Sequence, residues 1–200
     1  MPRIVRHPFG FVHRIAFDDP EALKRAFKFI GAAIALAYLI FAPALTRHAF
    51  DVGELQFGVV TLLRLAVITV LYHAAFFVLG YRQPITKSLI LSSYLNGVYF
   101  PIYMTATLPG FLVFGPQAYF EPLSAGVARD DASLTELAAV LSGYLLVLVA
   151  YPLCLAVASY WWAKAFNARV WLSTALLLVA IALAGLANFY VLPMATRLFL

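Results

Sequence analysis

Five long apolar stretches dominate this chain, at about 27–45, 57–80, 88–114, 137–161 and 171–192. A hydrocarbon core of ~30 Å needs about twenty helical residues at 1.5 Å each, so each stretch is long enough to cross a bilayer. Inside lipid every backbone N–H and C=O needs a partner within the protein, and a helix supplies one locally. The expected fold is therefore all-α: a polytopic membrane protein with five transmembrane helices over residues 27–200, preceded by a cytoplasmic, interfacial segment at 1–26. Composition agrees. The chain is 64% hydrophobic and 12% charged with mean hydropathy +0.91, whereas soluble domains are about 45–50% apolar and about 25% charged. One cysteine, Cys154, excludes an intramolecular disulfide and a cysteine metal cluster. No cleavable signal peptide is expected, because the first apolar run begins only near Phe27 and is long enough to remain in the membrane.

The segments between the stretches carry the charge. Residues 1–19 mix Phe9, Phe11, Val12, Ile15 and Phe17 with Arg6, His7, His13 and Arg14, a pattern suited to an anionic membrane surface. Asp19-Pro20-Glu21 reads as a helix start: an N-cap, a first-turn proline and an acid near the positive end of the dipole. Pro43 is expected to bend or end the first span, and Pro193 to close the fifth. Residues 80–84 read as a tight basic turn, and 115–136 as a long acidic loop in which Ser133 and Glu136 have capping-box spacing. Trp161, Trp162 and Lys164 read as an interfacial anchor. Ten Lys and Arg fall on the N-terminal side of the spans and three on the other. The positive-inside rule then puts the N-terminus in the cytoplasm and the C-terminus outside. The formal charge of +5 thus reflects topology, and no nucleic-acid partner is expected.

The third stretch is the most informative. Ser88, Ser92, Asn96, Tyr99 and Tyr103 recur at steps of four and three and share one helical face. Pro101, within that helix, lacks the N–H that would bond the Gly97 carbonyl. Such a face either associates with another helix or lines a cavity. Ala180, Ala184 and Asn188 form a comparable ridge on the fifth stretch, positioned as a candidate partner. Arg64 is an intramembrane charge, read either as a contact to lipid or a pocket or as a side chain snorkelling outward. His73, nine residues on, points to the opposite face and reads as a buried polar group bonded to a neighbour. No metal or haem ligand set accompanies it. No carboxylate lies deep in a span, which argues against a proton- or sodium-coupled pump. No phosphate loop, nucleophile elbow or zincin helix is present.

His7-Pro8-Phe9, Asp19-Pro20-Glu21, Leu79-Gly80-Tyr81-Arg82 and the run from Tyr94 to Pro101 together resemble the Yip-type domain proteins (Ypt-interacting proteins) and their bacterial five-span relatives. The chain departs from that pattern at Tyr81, where a second glycine is usual. The resemblance implies a non-enzymatic role in membrane organisation or complex assembly, and supplies no catalytic residues. The expected function is a non-catalytic scaffold or accessory subunit that binds other integral membrane proteins through its helix faces. Phospholipid or a second copy of the chain would be further partners, with no cofactor or metal and no enzymatic activity. High use of Ala, Leu, Val and Arg fits a bacterial inner membrane. Two other readings stay open: a small transporter or channel lined by the third span, and a lipid-binding or lipid-modifying protein using Arg64.

Overall fold

Each apolar stretch forms one continuous helix that begins before its apolar run; the second helix stops two residues short of its run and the third ends with it. The computed structural model describes the backbone of residues 6–47, 52–114 and 134–198. Side chains are described there except at 41, 43–47, 52–64, 110–111, 113–114, 136–137 and 187–198. The helices are α1 (Ala22–Arg47), α2 (Val52–Val78), α3 (Ile85–Phe114), α4 (Leu134–Phe166) and α5 (Val170–Leu198). Among the described residues there is no strand. Pro193 does not end its helix, contrary to expectation: α5 runs on to Leu198; α1 continues past Pro43 to Arg47. A proline removes one N–H but keeps a helical φ, and the flanking turns retain their bonds. Pro101, Pro109 and Pro152 also lie inside helices. Of the acidic loop expected at 115–136, residues 115–133 lie outside the described residues, and 134–136 already belong to α4, which starts at Leu134.

α3 is the centre of the bundle. It packs most extensively on α1, next on α4 and also on α2, while α5 packs on α2 and α4. Small residues let the backbones approach. On α1, Ala26, Ala33 and Ala37 are fully buried at spacings of seven and four, and the Phe29 ring covers Gly97 of α3. On α4, Gly143 lies directly against the Ala106 carbonyl of α3. Nearer the other end, Tyr72 and Phe76 of α2 join Trp161, Trp162 and Phe166 of α4 in one aromatic core.

Within α4, Ala138–Ala165 is long and apolar enough to cross a membrane, with a mean hydropathy of 2.2. Judged on the described residues alone, it is the one helix that meets this measure, and α2 and α5 contribute shorter apolar runs, Leu65–Val78 and Val170–Leu186. Only 17% of the α4 window is buried. Leu141, Leu145, Leu148, Val149 and Leu153 face outward, the reverse of a helix at the core of a soluble protein.

Two tight turns sit at one end of the bundle. α2 closes with Gly80 at φ 88; its N–H bonds the Phe77 carbonyl and that of Tyr81 bonds the Phe76 carbonyl, both at 3.0 Å. α4 closes the same way with Asn167 at φ 54, Asn167 N–H reaching Lys164 and Ala168 N–H reaching Ala163. These are Schellman caps, in which only the first position needs positive φ. Tyr81 therefore requires no glycine there, and its ring packs edge-on against Phe76 at 5.6 Å, supplying the apolar contact that such caps favour.

Candidate functional site

The polar residues of α3 turn inward and bond to α2 and α4. Ser88, fully buried, accepts a hydrogen bond from Trp162 Nε1–H at 3.2 Å and lies 3.0 Å from His73 Nδ1. The indole can only donate, so Ser88 Oγ accepts from it and keeps one hydrogen and one lone pair, which suit either tautomer of His73. One turn along, a directional relay forms. The Thr69 hydroxyl donates to the Leu65 carbonyl at 2.7 Å. That leaves its oxygen to accept from Ser92, also at 2.7 Å. Ser92 Oγ in turn accepts from Asn96 Nδ2–H at 2.9 Å. Between α2 and α5, Tyr72 donates to the Ser173 carbonyl at 2.8 Å and meets the Ser173 hydroxyl at 2.5 Å. The Tyr72 ring stacks on Trp162 at 5.2 Å.

Farther along the seam, Tyr99 stacks on Tyr103 at 6.0 Å and stands 6.4 Å from Tyr151 of α4. A cavity of about 110 Å³ opens among α2, α3, α4 and α5, with Thr69, Ser92, Asn96, Tyr99 and Cys154 in its wall. Asn96 is only 8% exposed; its amide N–H is bonded, while no bond to its carbonyl oxygen is found among the described residues. Ser159 of α4 carries a buried hydroxyl without a hydrogen-bond partner among the described residues.

Of the expected stripe, Ser88 and Asn96 are buried and Ser92, Tyr99 and Tyr103 partly buried along α3. His73 is half-buried and bonded to a neighbour. Ala180 and Ala184 are buried, but α5 packs chiefly on α2 and α4, so α3 is not the main partner of that ridge. The Arg64 and Asn188 side chains lie outside the described residues. The tryptophans correct the reading of an interfacial anchor. Trp161 and Trp162 are 1% and 2% exposed, and each indole N–H bonds inside the protein, Trp161 to the Pro8 carbonyl at 2.7 Å. Thr69, Tyr72 and Ser173 escaped the sequence reading. Their only signal is hydrogen-bonding side chains on apolar helices, with Thr69 and Tyr72 on the α2 face that continues to Phe76.

Before α1, the N-terminal segment docks on the bundle. Pro8–Phe11 forms one helical turn and Val12–Arg14 a 3-10 turn. Val12 is buried. The Phe11 ring packs on Trp161 and Tyr94, and Phe9 meets Tyr160 edge-on at 5.5 Å. Asp19 Oδ1 accepts the Glu21 N–H at 2.8 Å, and Arg25 bonds its other oxygen at 2.5 Å. The Arg25 bond first, then the Glu21 N–H, hold the Asp19 carboxyl below the ordinary carboxylate range.

These features define an all-helical bundle with a hydrogen-bonded polar seam inside and a membrane-length apolar helix on its outer side. Compared with family models, curated proteins and solved structures, the chain has no match. None of these comparisons supports the resemblance to Yip-type proteins.

Proposed function

We propose that this chain is a five-span integral membrane protein, N-terminus in the cytoplasm, that serves as a non-catalytic scaffold or accessory subunit of a larger membrane complex. The observation that carries the proposal is the use of the polar stripe. A pore or a reaction site presents its polar groups to water or substrate, whereas Ser88, Ser92 and Asn96 bond to His73, Trp162, Thr69 and one another. The bonds from Ser88 and Ser92 to α2 and α4 are interhelical, a kind worth about 0.6 kcal/mol each in lipid that fixes how helices pack. The broad apolar outer face of α4 then remains for lipid or for helices of other proteins. The Yip-type motifs fit the same role. The test is gentle extraction from native membranes followed by cross-linking mass spectrometry. Recovery in a stoichiometric complex, with cross-links flanking α4, is the expected result. Recovery as a lone monomer would sink the scaffold reading.

One observation favours a second reading, a passage or small-ligand site. The cavity beside Asn96 is walled mainly by apolar side chains, but Asn96, 8% exposed, faces it with a carbonyl oxygen for which no bond is found among the described residues. At about 110 Å³ it is smaller than the ~300–1,000 Å³ of typical ligand sites, so it ranks second. Asn96→Leu separates the two: loss of solute flux with intact assembly supports the passage, and loss of assembly without a flux change supports the scaffold.

A further inference from the structure

We infer that the docked N-terminal segment forms a cradle for the phosphate headgroup of an anionic phospholipid, with Arg6 and Arg14 as its cationic contacts. A concavity of about 490 Å³ is lined by Arg6, His7, Phe9 and Arg14 together with the backbone turn between them. That is within the ~300–1,000 Å³ range of small-molecule sites. The turn is held from below, by the Trp161 bond to the Pro8 carbonyl, the Phe9 and Phe11 ring contacts and the buried Val12. The two arginines thus project from an anchored frame.

Among the described residues their charges are uncommitted. The carboxylates that form ion pairs nearby are already engaged, Asp19 with Arg25 and Glu21 with Lys24. Asp18 forms no ion pair among the described residues, and neither Arg6 nor Arg14 does. Lys87 lies over the Phe17 ring and Lys164 over the Tyr160 ring. This end of the bundle is therefore electropositive, with Arg6 and Arg14 in no ion pair among the described residues. Arginine is suited to phosphate, presenting several N–H groups in one plane.

A lipid rather than an acidic protein is indicated by what surrounds the charges. Phe9 is 41% exposed within the cradle, and Trp171, in the first turn of α5, is 64% exposed at the same end. Aromatic rings beside arginines at the end of an apolar bundle match the chemistry of a bilayer headgroup layer.

The inference rests on the membrane reading of the bundle but not on its scaffold role. The full chain is reconstituted into phosphatidylcholine vesicles containing spin-labelled phosphatidylglycerol or spin-labelled phosphatidylcholine, and the motionally restricted fraction of each is compared. The unaltered protein is expected to prefer phosphatidylglycerol. Arg6→Gln with Arg14→Gln should abolish most of the preference, because both phosphate contacts go, while Arg6→Lys with Arg14→Lys should retain much of it. Arg82→Gln with Arg169→Gln removes the same charge outside the cradle and should leave most of the preference. An equal loss in both glutamine pairs would overturn the cradle, as would no preference at the outset. Displacement by inorganic phosphate beyond that caused by chloride at equal ionic strength would assign the site to a free anion instead, and also overturns it. Failure of the protein to insert would overturn the membrane reading and this inference with it.

Discussion

At the scale of single residues, closeness of backbones and completeness of hydrogen bonding decide what each position tolerates. A Cβ on Gly143 would meet the Ala106 carbonyl, which belongs to backbone and cannot swing away. On α5 a Cβ on Gly185 would meet nothing within 4 Å. Gly143→Ala should therefore cost about 1–3 kcal/mol by overpacking. Gly185→Ala should be neutral or stabilise by up to about 1 kcal/mol through helix propensity. Thermal unfolding in mild detergent checks the pair, and equal midpoints would show that α3 and α4 do not meet there. Two buried serines give a second contrast. Ser88→Ala strips a partner from both Trp162 and His73 and should destabilise by about 1–3 kcal/mol. Ser159→Ala removes a buried hydroxyl that has no partner among the described residues and should be neutral or stabilising. The reverse order in unfolding midpoints would refute the seam as drawn.

Elements are set by their ends and by which face meets which neighbour. α1 begins where Asp19 takes the Glu21 N–H and the Arg25 side chain. The Asp19 pKa is lowered in the folded protein, so its ionised form contributes stability above the ordinary carboxylate value of about 4 and loses it as pH falls through the folded value. Asparagine retains the capping bond but not the charge. Asp19→Asn should therefore lie below the native midpoint at neutral pH, and the gap should close as pH drops from about 5 to about 3. A gap independent of pH would mean that the charge plays no part. Much at this scale was legible in the sequence: this helix start, the turn at Gly80 and the inward face of α3, all local patterns of spacing and cap chemistry. What was not legible depends on partners distant in the chain. Trp161 and Trp162 near a span end suit an interfacial belt. Burial instead comes from Pro8 and Ser88, which reach them across the fold. The Ala26, Ala33 and Ala37 ridge on α1 looks like generic apolar sequence until Gly97 and Phe29 place it against α3.

At the scale of the whole molecule, helix length and charge fix how the bundle would lie in a bilayer. α3 has 30 residues and α4 has 33, hence about 45–50 Å each at 1.5 Å per residue, more than the ~30 Å hydrocarbon core. The turn before α3 and the turn after α4 meet at one end, where Val12, Phe76 and Phe166 share a cluster. Residues 115–133 join the far ends of the same two helices, so the two groups of connections must stand on opposite sides of any membrane the bundle spans. Arg82, Lys87, Lys164 and Arg169 lie at the first end, which the positive-inside rule assigns to the cytoplasm. This is measurable with single cysteines on a Cys154→Ala background, since Cys154 is the sole native thiol. In intact cells a membrane-impermeant maleimide should label Ser124→Cys but neither Arg82→Cys nor Arg169→Cys, and both of the latter should label once the membrane is permeabilised. The opposite pattern would invert the orientation. Labelling of all three in intact cells would place both ends on one side, and α3 and α4 would not then span a membrane.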